Sequence, residues 1–376
     1  MFKTCIIKLT SYCNLNCDYC YMFNLTDKTY SIVPKNISFK TIEKIIERII
    51  DYLNIFDEKS FIICLHGGEP TLWHYDNFKN LFEIIRKVND SGYKLEISLQ
   101  TNLFVLPSVE LLDLLIQNEV KIGISLDGPA QWNDSHRITH NNQGTYYRVI
   151  DNIEILINTG YKDLIGGFLC VANPEIPPHI FWEWIETLPV KNIDLLWPIE
   201  FNHDNPPWKN SNLITYQEEP IYGKWFSEVF DLWWRKDDLS IYIRFFYHTL
   251  KVILGDASNH VDALVNDSVN MFVVNTDGRI EYSDYLRSTA LGSVPTEFNI
   301  YKDSIIQLHQ NPIFLKLFNL RNELPSECYT CKHQSVCGGG FLPGRTNSKT
   351  LLSNKPSILC RDQYYFFDKV KSYLTT

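Results

Sequence analysis

Strand-like and helix-like segments alternate through the first two thirds of this 376-residue chain, and that alternation restricts the fold more than any other feature. Apolar strand candidates lie at 2–9, 61–65, 95–99, 121–125, 165–171 and 193–197. Between them run amphipathic stretches. The first carries Ile42, Ile45, Ile46, Ile49, Ile50 and Leu53 at helical spacing, with Ser38 placed to cap it. The second starts at Asp76 and the third opens at Ser108. The fourth runs from near Thr145 to Gly160, the fifth holds Phe181, Trp182 and Ile185, and the sixth covers 222–234. Repeated strand–helix units predict a parallel sheet covered by helices. Six units predict an α/β fold of the partial (β/α)6, TIM-like barrel kind over 1–235, with functional residues on the loops after the strands.

From 236 to 376 the pattern changes. A helix-like stretch at 242–254 precedes a hairpin, 271–275 and 279–285 about the turn Asp277-Gly278. The final stretch holds Cys328, Cys331, Cys337 and Cys360, and reads as a small loop-rich domain stapled by a metal group. A net charge of -9 argues against nucleic acid as a partner. No apolar run is long enough to span a bilayer, and the N-terminus enters strand-like sequence without a signal peptide. A cytoplasmic protein without membrane contact is expected. Ten cysteines in a reducing compartment are then better read as metal or cluster ligands where they bunch, near the start and near the end. Cys5, Cys64 and Cys170 lie in strand-like sequence and read as thiols without chemistry. Aromatics make up 14% of the chain, enough for a bulky core or for a ring-lined groove that takes a peptide or an aromatic substrate.

Cys13, Cys17 and Cys20 follow the first strand with the spacing C-x3-C-x2-C. Three thiolates on one loop can hold three irons of a four-iron cubane and leave the fourth open to a substrate. A zinc knuckle is the alternative, and it would require a fourth ligand.

With Tyr19 before its last cysteine, this segment resembles the signature of radical S-adenosylmethionine (SAM) enzymes. His66-Gly67-Gly68-Glu69-Pro70-Thr71 after the second strand is similar to that family's GGEP motif, Gln100-Thr101-Asn102 to its QTN segment, and Ser125-Leu126-Asp127-Gly128-Pro129 with Arg137 to the stretch that meets the SAM carboxylate. The resemblance covers essentially the first 235 residues. It implies a [4Fe-4S] cluster on Cys13, Cys17 and Cys20. It also implies SAM contacts from Tyr19, Gly67, Gly68, Glu69, Pro70, Asn102, Ser125 and Arg137, with Glu69 on the SAM ammonium and Ser125 and Arg137 on its carboxylate. Cleavage of SAM at the open iron would give a 5′-deoxyadenosyl radical. Where related maturases carry a His-Asp pair, this chain has Asn133-Asp134.

Cys328-x2-Cys331-x5-Cys337 with Cys360 resembles the SPASM extension of peptide-modifying radical SAM enzymes. Two ligand positions of that extension's inner cluster are Ser283 and Phe341 here, so the resemblance implies one auxiliary [4Fe-4S] cluster on the four remaining cysteines. A structural zinc site uses the same thiolates, and spacing alone does not separate the two. By the match to sulfatase maturases, Asp284 stands where the family has a catalytic base. Glu200, His203 and Asp204, on the loop after the sixth strand, are further candidates to bind or deprotonate substrate.

The function expected from these residues is a radical SAM oxidoreductase that matures a ribosomal precursor peptide. It would take hydrogen from a side-chain carbon and close a cyclophane-type carbon–carbon crosslink. Formylglycine formation in a sulfatase and epimerisation of a peptide residue are the alternatives with the same radical. A non-catalytic iron–sulfur or zinc scaffold is the alternative from another class. The partners implied are a precursor peptide and an external electron donor of the flavodoxin or ferredoxin kind.

Overall fold

The computed structural model describes residues 1–209, 219–256, 261, 263–264, 270–289 and 296–374. β1 (Thr4–Thr10), α1 (Phe39–Ile55), β2 (Ser60–Gly67), α2 (Tyr75–Asp90), β3 (Lys94–Thr101), α3 (Val109–Gln117) and β4 (Lys121–Ser125) form where the alternation places them. So do α5 (Tyr146–Asn158), β5 (Ile165–Val171), α6 (Pro178–Thr187), β6 (Asn192–Leu196) and α7 (Ile221–Lys236). The Ser38 and Ser108 side chains accept from Thr41 N and Leu111 N and so cap α1 and α3. α4 (Ala130–His136) has no counterpart among the expected helices; it is seven residues long and buries only Asn133.

Among the described residues one sheet runs in the order β7-β6-β5-β4-β3-β2-β1-β8-β9, parallel throughout except for its last pair. Its two edges, β7 and β9, do not meet, so the barrel is open. β7 (Tyr242–Ile243) pairs with β6 and leads directly into α8 (Arg244–Ile253). The sequence reads 242–254 as one helix, because a two-residue strand is too short to show a period of its own.

The expected hairpin forms as β8 (Met271–Val274) and β9 (Ile280–Glu281), with Gly278 at φ 82° in the turn. It is joined to the barrel. β8 lies parallel to β1, from Thr4 opposite Met271 to Ile7 opposite Val274. The region beyond it is more helical than expected: α9 (Ile305–Gln310), α10 (Pro312–Phe318), α11 (Gln334–Cys337) and α12 (Cys360–Leu374). α12 packs Phe366 against Phe226 and Phe230 of α7, and its Asp362 accepts from Gly223 N at 3.0 Å. Each such buried ring contributes about 2 kcal/mol of transfer free energy.

Side chains alternate across the sheet. Ile63, Leu65, Leu95, Leu99, Ile122, Ile124, Phe168, Cys170, Ile193 and Leu195 are buried against the helices. The alternate residues His66, Gln100, Ser125, Leu169, Val171 and Leu196 line a cavity on the concave face. No helix among the described residues is long and apolar enough to cross a membrane.

Candidate active site

The cavity holds about 200 Å³ and is walled by Cys13, Cys17 and Cys20 at the end where β1 gives way to its loop. That loop is knitted to the turn after β2. Gly68 N donates to Thr10 O at 2.9 Å and Glu69 N to Tyr12 O at 3.0 Å. A Cβ on Gly68 would sit 1.9 Å from Tyr12 O. This glycine is therefore required by the chain's own backbone, rather than by the approach of a ligand. On the other side Asn16 N donates to Ile138 O, Asp18 N to His136 O, and the His140 ring meets Cys13 O at 3.0 Å.

Three thiols thus face one cavity. Burial pushes Cys17 up to about 11 and also raises Cys13 and Cys20. Thiolates here need a bound cation to hold them. Among the described residues no three Cys, His, Asp or Glu side chains stand close enough to share a single metal ion. The ligands of a cubane bind different irons and so sit farther apart. Three soft donors with open space beyond them fit a four-iron cluster with one free iron.

Glu69 is 1% exposed, and its carboxylate accepts from Thr71 N, Thr71 Oγ1, Thr101 Oγ1 and Asn102 N at 2.7–3.1 Å. Asn102 Nδ2 donates to Asn14 Oδ1 and to Cys13 Sγ. Gly67, Gly68, Glu69, Asn102, Ser125, Tyr19 and Arg137 all line the cavity. Pro70 does not; it starts the short turn at 70–72 that Glu69 caps. Arg137 Nη1 donates to the Tyr19 hydroxyl at 2.9 Å, Tyr19 donates to Asp127, and Arg137 lies 3.8 Å from the same carboxylate. Its charge is already partly balanced within the chain. Asn133 and Asp134 act on structure: Asn133 Oδ1 accepts from Asp127 N, and Asp134 accepts from Thr145 N and Tyr146 N at the start of α5.

Asp284 meets residues that the sequence reading passes over. Its Oδ2 accepts from Tyr21 Oη at 2.8 Å and Lys8 Nζ at 3.3 Å, and Lys8 also donates to Tyr21 at 2.8 Å. Burial alone would push the Asp284 carboxyl up. The Lys8 ammonium, by its charge and its hydrogen bond, and the Tyr21 hydroxyl outweigh it and hold the group at about 2. His66 is pushed down to about 3 by burial and by Lys8, so its ring is neutral. Gly67 N at 2.8 Å and the Lys8 ammonium at 3.4 Å both donate toward His66 Nδ1; these two donors outweigh Gly67 O at 3.2 Å and assign the ring proton to Nε2. Tyr21 and His66 line the cavity, and Asp284 stands behind Tyr21. The usable signal for this group was Lys8, a charged residue inside an apolar strand. It is 0% exposed.

Glu200 lines the same cavity and the adjoining one of about 390 Å³, and burial pushes it up to about 7. His203 and Asp204 line neither; they bond to Thr346 and Ser348 through His203 N and an Asp204 carboxylate oxygen. Cys5 and Cys170 are buried, and Cys64 lies on the concave strand face outside the cavity lining.

Cys328, Cys331, Cys337 and Cys360 come together from a 3-10 turn (Ser326–Thr330), its end, the end of α11 and the start of α12. Burial, then the neighbouring thiols Cys328 and Cys331, pushes Cys360 up to about 11; Cys337 is raised in the same way. The Arg345 side chain is 0% exposed, and its Nε and Nη1 have no hydrogen-bond partner. A buried cation with two donor nitrogens unpartnered, acted on by the Cys328 and Cys337 thiols, fits an anionic group bound there. Ser283 and Phe341 are both buried, and the Ser283 hydroxyl has no partner.

Residues 7–188 match the model of the Radical SAM superfamily, and this part of the chain is a radical SAM domain. A cysteine-type anaerobic sulfatase-maturating enzyme of Clostridium novyi is 25% identical over 390 residues, covering 97% of this chain and 94% of its own. The solved structure of native anSMEcpe with bound AdoMet and Cp18Cys peptide superposes with a TM-score of 0.79 at 23% identity, covering 99% of this chain and 97% of that one. SuiB of Streptococcus suis, bound to precursor peptide SuiA, superposes at 0.62 with 15% identity over 96% of this chain and 76% of its own. These two likenesses show a common fold that extends through the C-terminal region.

Proposed function

We propose that this radical SAM enzyme oxidises a side-chain carbon of a peptide or protein substrate, in the manner of a sulfatase maturase. The observation that carries the reading is the Lys8–Tyr21–Asp284 group, set against the same cavity as Cys13, Cys17 and Cys20. When bound, the first cluster with SAM supplies the radical that removes a hydrogen atom, and the group on Cys328, Cys331, Cys337 and Cys360 supplies a one-electron acceptor.

What remains for the chain is the proton. A carbon radical beside sulfur or oxygen is far more acidic than its parent, so an ionised carboxylate held low by Lys8 is base enough. Tyr21 faces the cavity and hands the proton to Asp284 Oδ2 through the 2.8 Å bond. Lys8 keeps Asp284 ionised, and neutral His66 presents its Nε2–H to hold a substrate oxygen. Glu69, Asn102, Ser125 and Arg137 are assigned to SAM. The full-length likeness to the Clostridium novyi maturase supports this substrate class.

The crosslinking reading is retained on one observation. Ser283 and Phe341 stand where two inner-cluster ligands are expected, so the electron route differs from that family pattern. The test offers anaerobically reconstituted enzyme a cysteine-type sulfatase peptide and reads the product mass. A loss of 18 Da supports formylglycine: two hydrogens are removed, and water then replaces the sulfur of the resulting thioaldehyde, which leaves as hydrogen sulfide. Unchanged mass beside abundant 5′-deoxyadenosine removes the sulfatase reading and leaves the crosslink and epimerisation, which chiral analysis of the hydrolysed peptide separates.

A further inference from the structure

We propose that Arg345 sets the reduction potential of the iron–sulfur group held by Cys328, Cys331, Cys337 and Cys360. The inference rests on the four-iron reading of that site and deepens it.

Arg345 ends a short turn (Leu342–Arg345) stapled between two ligand segments. Ile358 N donates to Gly344 O at 2.8 Å, and Cys360 N donates to Ser357 O at 2.8 Å. Gly340 N donates to Cys337 O, and Ser357 N to Gly339 O. A Cβ on Gly344 would come within 2.2 Å of Ser357 Oγ, so the turn is pressed against the segment that leads into Cys360. From this turn the guanidinium enters the protein with no exposure. Nη2 donates to the main-chain oxygen of Glu323, while Nε and Nη1 have no partner. Burial works against its charge, and the thiols of Cys328 and then Cys337, ahead of the Glu323 carboxylate, support it.

A guanidinium does not release its proton, so it can be buried only against a negative charge. Four thiolates around a four-iron core carry net negative charge, and uptake of one electron makes that charge larger by one. No atom moves and no proton is exchanged; the electron comes from the substrate radical or from an external reductant. A fixed cation in a low-dielectric site stabilises the reduced state more than the oxidised one. Arg345 therefore raises the potential and makes the group a better electron acceptor. A structural zinc site would carry the same four thiolates but no reducible state.

The test is an EPR-monitored redox titration of the reconstituted two-cluster enzyme with Arg345→Lys and Arg345→Met beside the parent. Added SAM perturbs the open cluster alone and sorts the signals. The Lys variant is expected near the parent. In the Met variant the ratio of reduced to oxidised second cluster should fall about tenfold or more at fixed poise, which is about 59 mV for a one-electron couple. If the Met variant does not load iron, Arg345→Gln carries the same comparison. An unchanged midpoint with full iron overturns the proposal, as does loss of iron from the Lys variant. A parent that binds zinc here overturns the four-iron reading, and this inference with it.

Discussion

Cys13, Cys17 and Cys20 line a cavity that continues past them to Glu69, Ser125 and Arg137, whereas Cys328, Cys331, Cys337 and Cys360 close on one another beside a buried arginine. The first set offers three ligands where a four-iron cluster would take four, and the arginine acting on Cys17, Arg137, is occupied by Asp127 and Tyr19. The second offers four ligands and keeps two donor nitrogens of its arginine without a partner. One arrangement suits a site that must bind and cleave a cosubstrate; the other suits a site that only exchanges electrons. The buried trio Asp27, Arg287 and Glu281 ties the segment after Cys20 to β9 and to the turn after it, and Tyr285 of that turn packs its ring on Phe341, four residues after Cys337.

Substituting each set separately breaks this contrast most directly. Cys13→Ala/Cys17→Ala/Cys20→Ala should lower bound iron from about eight to about four and abolish 5′-deoxyadenosine. Cys328→Ala/Cys331→Ala should also lower iron to about four, yet leave reductive SAM cleavage in place while peptide product is lost. Equal loss of SAM cleavage in both would merge the two roles. Asp284→Asn is expected to cut product formation by about 100-fold while 5′-deoxyadenosine still forms. It also strands Lys8, at a cost of about 3–5 kcal/mol. Lys8→Met/Asp284→Asn should therefore recover the melting temperature and not the product. Recovery of both would reduce the pair to a structural ion pair. Gly68→Ala comes next in size. Its new Cβ meets Tyr12 O, so iron should fall at the first set only, read by iron count beside an unchanged EPR signal from the second.

The first site was largely legible because each of its parts is a short motif on one loop: the cysteine triad, Gly67-Gly68-Glu69-Pro70, and the strand ends around Asn102 and Ser125. What the sequence hid is what forms across long separations. Lys8 reads as one strand residue until β8 and β9 carry Asp284 to it from 276 positions away. Tyr21 looks like a loop aromatic until its hydroxyl is placed. α12 was passed over because its aromatic residues Phe366 and Tyr373 pack on Phe230 of α7, far away in sequence. Arg345 carries no periodic signal; only its burial marks it.

Glu200 offers the smallest effect and a check on the electrostatics of the first site. It faces both cavities and, unlike Asp284, has no lysine beside it; burial first and Asp18 after it keep its carboxyl up at about 7. The unfolded chain ionises this group near 4.5. Between about pH 4.5 and 7 the folded protein therefore holds a proton that the unfolded chain has released, and stability falls as pH rises through that window. The loss is about 1–3 kcal/mol and is complete above pH 7. Asp284 has the opposite sign: its contribution is present above about pH 4 and is lost only as pH falls toward 2. Denaturant titrations of Glu200→Gln and the parent at pH 5 and pH 8 separate the two. The parent should lose stability relative to the variant on going to pH 8. Parallel behaviour would mean that Glu200 is ionised throughout, and that a cation at the mouth of the first site pairs with it as Lys8 pairs with Asp284.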